Sequence, residues 1–173
     1  MTENEKKIIE SFAVNKITKD EFHLRFPFGK EAKSYIINSL NQAYDCKNAD
    51  DVEYTLLLYF NLNNFKFDKS NTGLLGNLLL EKWHNCHEDL AMSLQSIGDP
   101  QSIPFLEKAM YLNLEYLDYN DGESLIRKCA YAIADVDTEE SLKKLQELSE
   151  SENPIIRSCA IEQLQRKSTN LPQ

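Results

Sequence analysis

HEDLAMSLQSIGDPQSIPFLEKA, residues 87–109, and IRKCAYAIADVDTEESLKKLQEL, residues 126–148, are two copies of one pattern set 39 positions apart without a gap. Ala91 falls on Ala130, Leu94 on Ile133, Ile97 on Val136, Ile103 on Leu142 and Leu106 on Leu145. A shorter echo follows at a spacing of 30, where Ile126-Arg127-Lys128-Cys129-Ala130 returns as Ile156-Arg157-Ser158-Cys159-Ala160. Repetition at such a period is the mark of a solenoid, in which each unit needs its neighbours to cover its apolar face. Solenoids make extended surfaces that hold other macromolecules, so the pattern points to a binding protein before it points to any partner.

Working outward, the local signals are helical throughout. Ile8, Ile9 and Phe12 share one face of a helix over residues 3–13. Thr18 and Glu21 are spaced as a capping box for a short second helix that stops before Pro27. Gly29 then releases a longer helix over 30–46. Asp50 and Asp51 suit the start of another over 51–62, and Asn61 to Asp68 forms a connector. Ser70 or Asn71 caps a helix running to about Lys82, and a further one spans 84–97. Gly98-Asp99-Pro100 is a full stop and a new start, with glycine past one helix, aspartate as cap and proline in the first turn of the next. Residues 111–124 interrupt the repeat. Helices then follow from about Glu123 to Ala134, over 138–150 behind an Asp137/Glu140 capping box, and from Asn153-Pro154 to about Lys167, with a frayed tail from Ser168. No segment alternates as a strand would.

Composition agrees with a folded all-α chain. Of 173 residues, 42% are hydrophobic and 27% charged, and only 5 glycines and 5 prolines are present, too few for a turn-rich β protein. The formal charge is −9, from 28 acids against 19 bases. That balance argues against direct nucleic-acid binding, which needs several cations to displace counterions, and against an anionic membrane surface. Residues 1–7 lead into no signal-peptide core, and Leu74 to Leu80 is far too short to span a bilayer. Cys46, Cys86, Cys129 and Cys159 form no C-x-x-C pair and read as reduced thiols of a cytoplasmic protein.

Ile97-Gly98-Asp99-Pro100-Gln101-Ser102-Ile103-Pro104-Phe105-Leu106 resembles the core of a bacterial HEAT repeat, and Ile126-Arg127 and Ile156-Arg157 resemble the start of that repeat's second helix. The resemblance covers about residues 70–167. It implies an all-α, HEAT-like α-solenoid of antiparallel helix pairs over 49–167, with residues 1–48 as an N-terminal helical cap and 168–173 as a tail. Val136-Asp137-Thr138 departs from the pattern by lacking Gly-Asp-Pro, with Asp137 left to cap. Small proteins of this type, including the Trp83-His84-x-x-His87-Glu88-Asp89 run, resemble immunity proteins found beside bacterial toxins. Other members of the wider family resemble phycobilisome lyase subunits or general scaffolds.

Three constellations carry candidate chemistry. His84, Cys86 and His87 contain metal-ligand types, but they match no zinc motif and lack further ligands, whereas helix-start chemistry explains His84, Asn85, Glu88 and Asp89. A metal-dependent hydrolase built on His84 and His87 is therefore the third choice. Tyr111 to Glu123 carries four acids, three tyrosines and no base. One reading simply lengthens the preceding helix, burying Tyr111, Leu114 and Leu117. The other makes Glu115, Tyr116, Asp118, Tyr119 and Asp121 a partner-binding patch, since insertions on a solenoid face and tyrosines at interfaces both favour binding. Arg127 and Arg157 suit ladder pairs with acids of an adjoining unit, Asp135 or Asp137 serving Arg127. The expectation is thus a non-catalytic module without cofactor or metal. Its first role is immunity, through occlusion of a basic toxin domain such as a nuclease, and its second is that of a scaffold or adaptor.

Overall fold

The computed structural model describes residues 1–26, 31–62 and 66–169, all of whose regular structure is helical. Pro27, Gly29, the middle of the 61–68 connector and the tail beyond Thr169 lie outside the described residues. The chain divides into two compact units, one of residues 1–66 with 83–86 and one of residues 67–82 with 87–173.

In the first unit, α1 (Glu3–Ala13) opens on a capping box between Thr2 and Glu5, and α2 (Lys19–Arg25) on the expected one between Thr18 and Glu21. Each box satisfies backbone N–H groups that a helix start leaves orphaned. The two helices are joined by aromatic packing. Phe12 stacks on Phe22 at 4.4 Å, Phe22 on Phe26 at 4.9 Å, and Phe26 meets Tyr35 of α3 (Ala32–Cys46) edge-on at 5.2 Å. Ile36, Leu40 and Ala43 are fully buried along one stripe of α3. Lys47, in left-handed backbone, ends it. α4 (Ala49–Leu62), which the sequence assigns to the repeat region, packs here against α1 and α3. Its Asp51 takes two cations, the Met1 α-amino group at 2.8 Å and Lys6 Nζ at 3.1 Å. Burial alone would raise the Asp51 pKa, but these two cations outweigh it and hold the carboxyl below its ordinary value.

The second unit begins with a 3-10 turn, Lys69–Asn71, and α5 (Thr72–Leu79). The expected cap at Ser70 or Asn71 is instead Asp68, whose carboxylate accepts from Ser70 N at 2.9 Å while Asn71 reciprocates to Asp68 N. Then come α6 (His87–Ile97), a 3-10 turn (Pro100–Ser102), α7 (Ile103–Ala109), a 3-10 stretch (Glu115–Asn120), α8 (Glu123–Val136), α9 (Glu139–Leu148) and α10 (Pro154–Thr169). α8 lies between α6 and α10; α5 packs on α6 and α7, α7 on α8, and α9 on both α8 and α10.

Matched residues serve matched ends. Ala91, Ala130 and Ala160 are all fully buried at one register of α6, α8 and α10, where a larger side chain would hold the backbones apart. Ser102 and Ser141, 39 apart, are both wholly buried, and each donates its hydroxyl to the carbonyl three residues earlier, at 2.7 and 2.8 Å. The apolar correspondence is looser: Ile103 is 2% exposed but its match Leu142 is 36% exposed. Burying a Leu side chain contributes about 1.5–3 kcal/mol, so Leu142 gives up much of what Ile103 secures.

The cap of the second copy is not Asp137. Thr138 accepts from Ser141 N at 3.2 Å, and Asp137 takes the left-handed place held by Gly98 in the first copy. In that first copy Asp99 both caps, accepting from Gln101 N at 3.3 Å, and receives the Thr72 hydroxyl at 2.7 Å, which ties α5 to the turn. No helix among the described residues is long and apolar enough to cross a membrane.

Candidate functional site

α7 stops at Ala109 and the chain tightens. Tyr111 N donates to Lys108 O and Leu112 N to Ala109 O, both i to i+3 bonds. Leu114 is extended, and Glu115–Asn120 winds as a 3-10 helix rather than prolonging α7. Three residues per turn eclipse every third side chain, and this sorts the insert into three files. Leu114 and Leu117 point inward, 6% and 3% exposed, with Asn120 below them at an intermediate depth. Glu115, Asp118 and Asp121 form an exposed acidic file. Tyr116 and Tyr119 form the third. Asp121 and Gly122 then take successive left-handed conformations, φ 53° and 72°, which halt the 3-10 turn and start α8.

The five expected contact residues therefore separate by file. Glu115, Asp118 and Asp121 are exposed, with no ion pair or side-chain hydrogen bond among the described residues. Tyr119 is 78% exposed. Tyr116 is turned inward to α6, where its hydroxyl meets His87 Nδ1 at 2.9 Å with the rings 5.6 Å apart. His87 is wholly buried, and its Nε2 lies 2.7 Å from Glu81 O. A carbonyl only accepts, so Nε2 carries a proton and donates to Glu81 O, while Nδ1 shares a hydrogen bond with the Tyr116 hydroxyl. Tyr116 thus anchors the insert while Glu115, Asp118 and Tyr119 face outward. Tyr111, which the lengthened-helix reading would bury, is 58% exposed.

Between the end of α7 and the first turn of α8 lies a hollow of about 290 Å³. Leu114, Leu125 and Ile126, none more than 6% exposed, line it together with Tyr111, Asp118 and Asp121. Among the described residues no Lys, Arg or His lines it. The fourth acid of the insert, Glu123, is spent on Arg127 at 2.8 Å.

The histidine run resolves differently. His84 Nδ1 accepts from Cys86 N at 3.1 Å within the first unit, and His87 belongs to the second with its Nδ1 bonded to the Tyr116 hydroxyl. Among the described residues no group of three His, Cys, Asp or Glu side chains is arranged to hold a metal ion. The thiols of Cys129 and Cys159 are pushed up by burial, away from nucleophilic character.

Arg127 reaches an acid of the adjoining helix as the sequence suggests, though the acid is Glu162 and not Asp135 or Asp137, whereas Arg157 finds no acid among the described residues. Arg127 takes Glu123 in its own helix and Glu162 of α10 at 3.9 Å, and Arg157 Nη1 donates to Ser151 O at 2.5 Å. Asp135 is the hub that sequence reasoning passes over. Gln95 of α6 and Arg166 of α10 both reach it at 2.6 Å, and Arg166 also lies over the Tyr131 ring at 4.7 Å. Only the spacing hints at this, since residues 95, 135 and 166 fall near one register of three matched helices. No family model, curated protein or solved structure matches the chain.

Proposed function

We propose that the protein is a non-catalytic protein-binding module and acts as an immunity protein, occluding the active or substrate-binding surface of a basic toxin domain such as a nuclease. The observation that carries this reading is the acidic file Glu115, Asp118 and Asp121, exposed and unneutralised beside Tyr119 on a segment held rigidly by His87 and Tyr116. Unpaired carboxylates on a fixed ledge attract a basic surface and speed encounter, while tyrosine area prolongs the complex. The finer architecture belongs to the same proposal. The second unit is read as a HEAT-like α-solenoid, supported by the α6–α8–α10 packing, the buried alanines at one register, and the matched Gly98/Asp137 and Ser102/Ser141 ends.

The test mixes the protein with the purified product of the adjacent gene and measures binding by calorimetry and that product's residual nuclease activity. A stable complex that suppresses activity is expected, with Glu115→Gln/Asp118→Asn/Asp121→Asn weakening it most at low salt. A complex that leaves the toxin fully active would refute occlusion, and no complex at all would refute the immunity role.

A further inference from the structure

We propose that the hollow between α7 and α8 is the receptor for an arginine side chain of the basic partner. The inference rests on the protein-binding reading above and specifies how recognition is anchored.

Size comes first. At about 290 Å³ the space is at the floor of small-molecule pockets, which run from roughly 300 to 1,000 Å³. It would hold several waters at roughly 30 Å³ each, and it suits one long side chain better than a cofactor. Chemistry then narrows the occupant. The buried Leu114, Leu125 and Ile126 give the hollow apolar lining for an aliphatic stem, and the exposed Asp118 and Asp121 line it too, with no ion pair among the described residues. An apolar occupant would desolvate those carboxylates without compensation, and an acidic one would be repelled.

A long cation satisfies both parts. Of the two available, arginine has the planar, weakly hydrated head with several N–H groups that can serve two carboxylates at once. Tyr111, half exposed at the lip, gives that head an aromatic face. The site is also stiff. Below it Leu117 O accepts from Gly122 N at 3.1 Å, and Tyr116 is locked to His87, so little ordering is left for the moment of binding.

The experiment titrates the full chain with hexa-arginine, hexa-lysine and hexa-citrulline peptides, following methyl resonances of Leu114, Leu125 and Ile126. Hexa-arginine is expected to shift them saturably, hexa-lysine more weakly and hexa-citrulline not at all. Asp118→Asn/Asp121→Asn raises the hexa-arginine Kd about tenfold or more, the scale of one lost charged contact. Asn113→Arg, which places a tethered cation at the hollow, blocks the peptide independently of that double variant. Unmoved methyls, equal shifts from hexa-citrulline, or undiminished binding by both variants overturn the proposal. A toxin domain bound equally well by wild type and Asp118→Asn/Asp121→Asn overturns the arginine receptor and spares the protein-binding reading. Saturable, aspartate-dependent hexa-arginine binding by a chain that captures no basic protein supports the receptor and removes the immunity reading.

Discussion

Gly98 and Asp137, 39 residues apart, occupy the same left-handed backbone state, with φ of 61° and 57°. Each ends one helix and hands the chain to a capping residue, Asp99 or Thr138. Left-handed backbone costs a non-glycine residue roughly 1–2 kcal/mol, less for aspartate. A side chain at Gly98 would meet nothing within 4 Å, so backbone alone decides its tolerance. Gly98→Ala is expected to lower Tm by about 2–4 °C for each kcal/mol lost, and Gly98→Asp by less. Asp137→Gly should be neutral or mildly stabilising, because the Lys167 pair it gives up, at 2.7 Å, sits on a carboxylate that is 72% exposed. Thermal unfolding checks the set, and a Gly98→Ala protein that melts above wild type contradicts it.

Gly76 is demanded by space rather than by backbone angle. A Cβ there would stand 2.5 Å from the Phe105 ring, so α5 meets α7 through a glycine. Gly76→Ala is expected to cost about 1–3 kcal/mol by overpacking, despite the better helix propensity of alanine. Phe105→Leu in the same chain should return part of that loss. Urea unfolding of the two single variants and the double variant decides it; additive losses would show that the clash is not the cause.

Asp135 couples stability to acid. Burial works to raise its pKa, but the hydrogen bonds from Gln95 and Arg166 and the Arg166 charge prevail, and the carboxyl titrates below its ordinary 3.8. A depressed carboxyl contributes stability that is complete above the unfolded-state value and disappears as pH falls through the folded-state value. Stability from this hub is therefore constant from pH 7 to about 5 and is lost below about 4. The pair is about one-third exposed, 32% on each side, so screening keeps the effect modest. Asp135→Asn should lower the urea midpoint at pH 7 and flatten its decline below pH 4. An unchanged acid limb in that variant would move the effect elsewhere, with Asp51 next in line because its carboxyl is depressed by Lys6 and the Met1 amine.

How much of this was legible depends on how local the signal is. The Thr18/Glu21 box and the Asn153 cap, which accepts from Ile155 N at 2.9 Å, are written in adjacent residues and could be read directly. Asp137 and Thr138 could not be sorted that way, because either side chain can cap and only the left-handed angle assigns the roles. The helix foreseen over 84–97 starts at His87, since Trp83 to Cys86 packs with the first unit and Cys86 N is held by His84. In the insert, the exposed acids stood out by type, but their common file follows from a 3-10 period that composition does not announce. Tyr116 shows the limit most clearly: its partner lies 29 residues earlier, and no spacing rule joins them.

That partnership gives a last prediction. His87 is fully buried, and its Nδ1 hydrogen-bonds the Tyr116 hydroxyl at 2.9 Å. Tyr116→Phe keeps the ring and removes only the hydroxyl that bonds His87 Nδ1, at a cost of about 0.5–1.5 kcal/mol. The loss should concentrate in the insert, where this bond joins the 3-10 stretch to α6. Amide exchange at Leu117 and Gly122, whose own bonds run to Leu114 O and Leu117 O, is expected to quicken more than exchange in α8. His87→Phe removes the Nδ1 partner but also the Nε2 donor to Glu81 O, so the hydroxyl is read from coupling: Tyr116→Phe should cost less in the His87→Phe background than in the wild-type chain. Faster exchange spread evenly over the second unit, or strictly additive losses in the His87/Tyr116 cycle, would show that Tyr116 acts by packing and not through its hydroxyl.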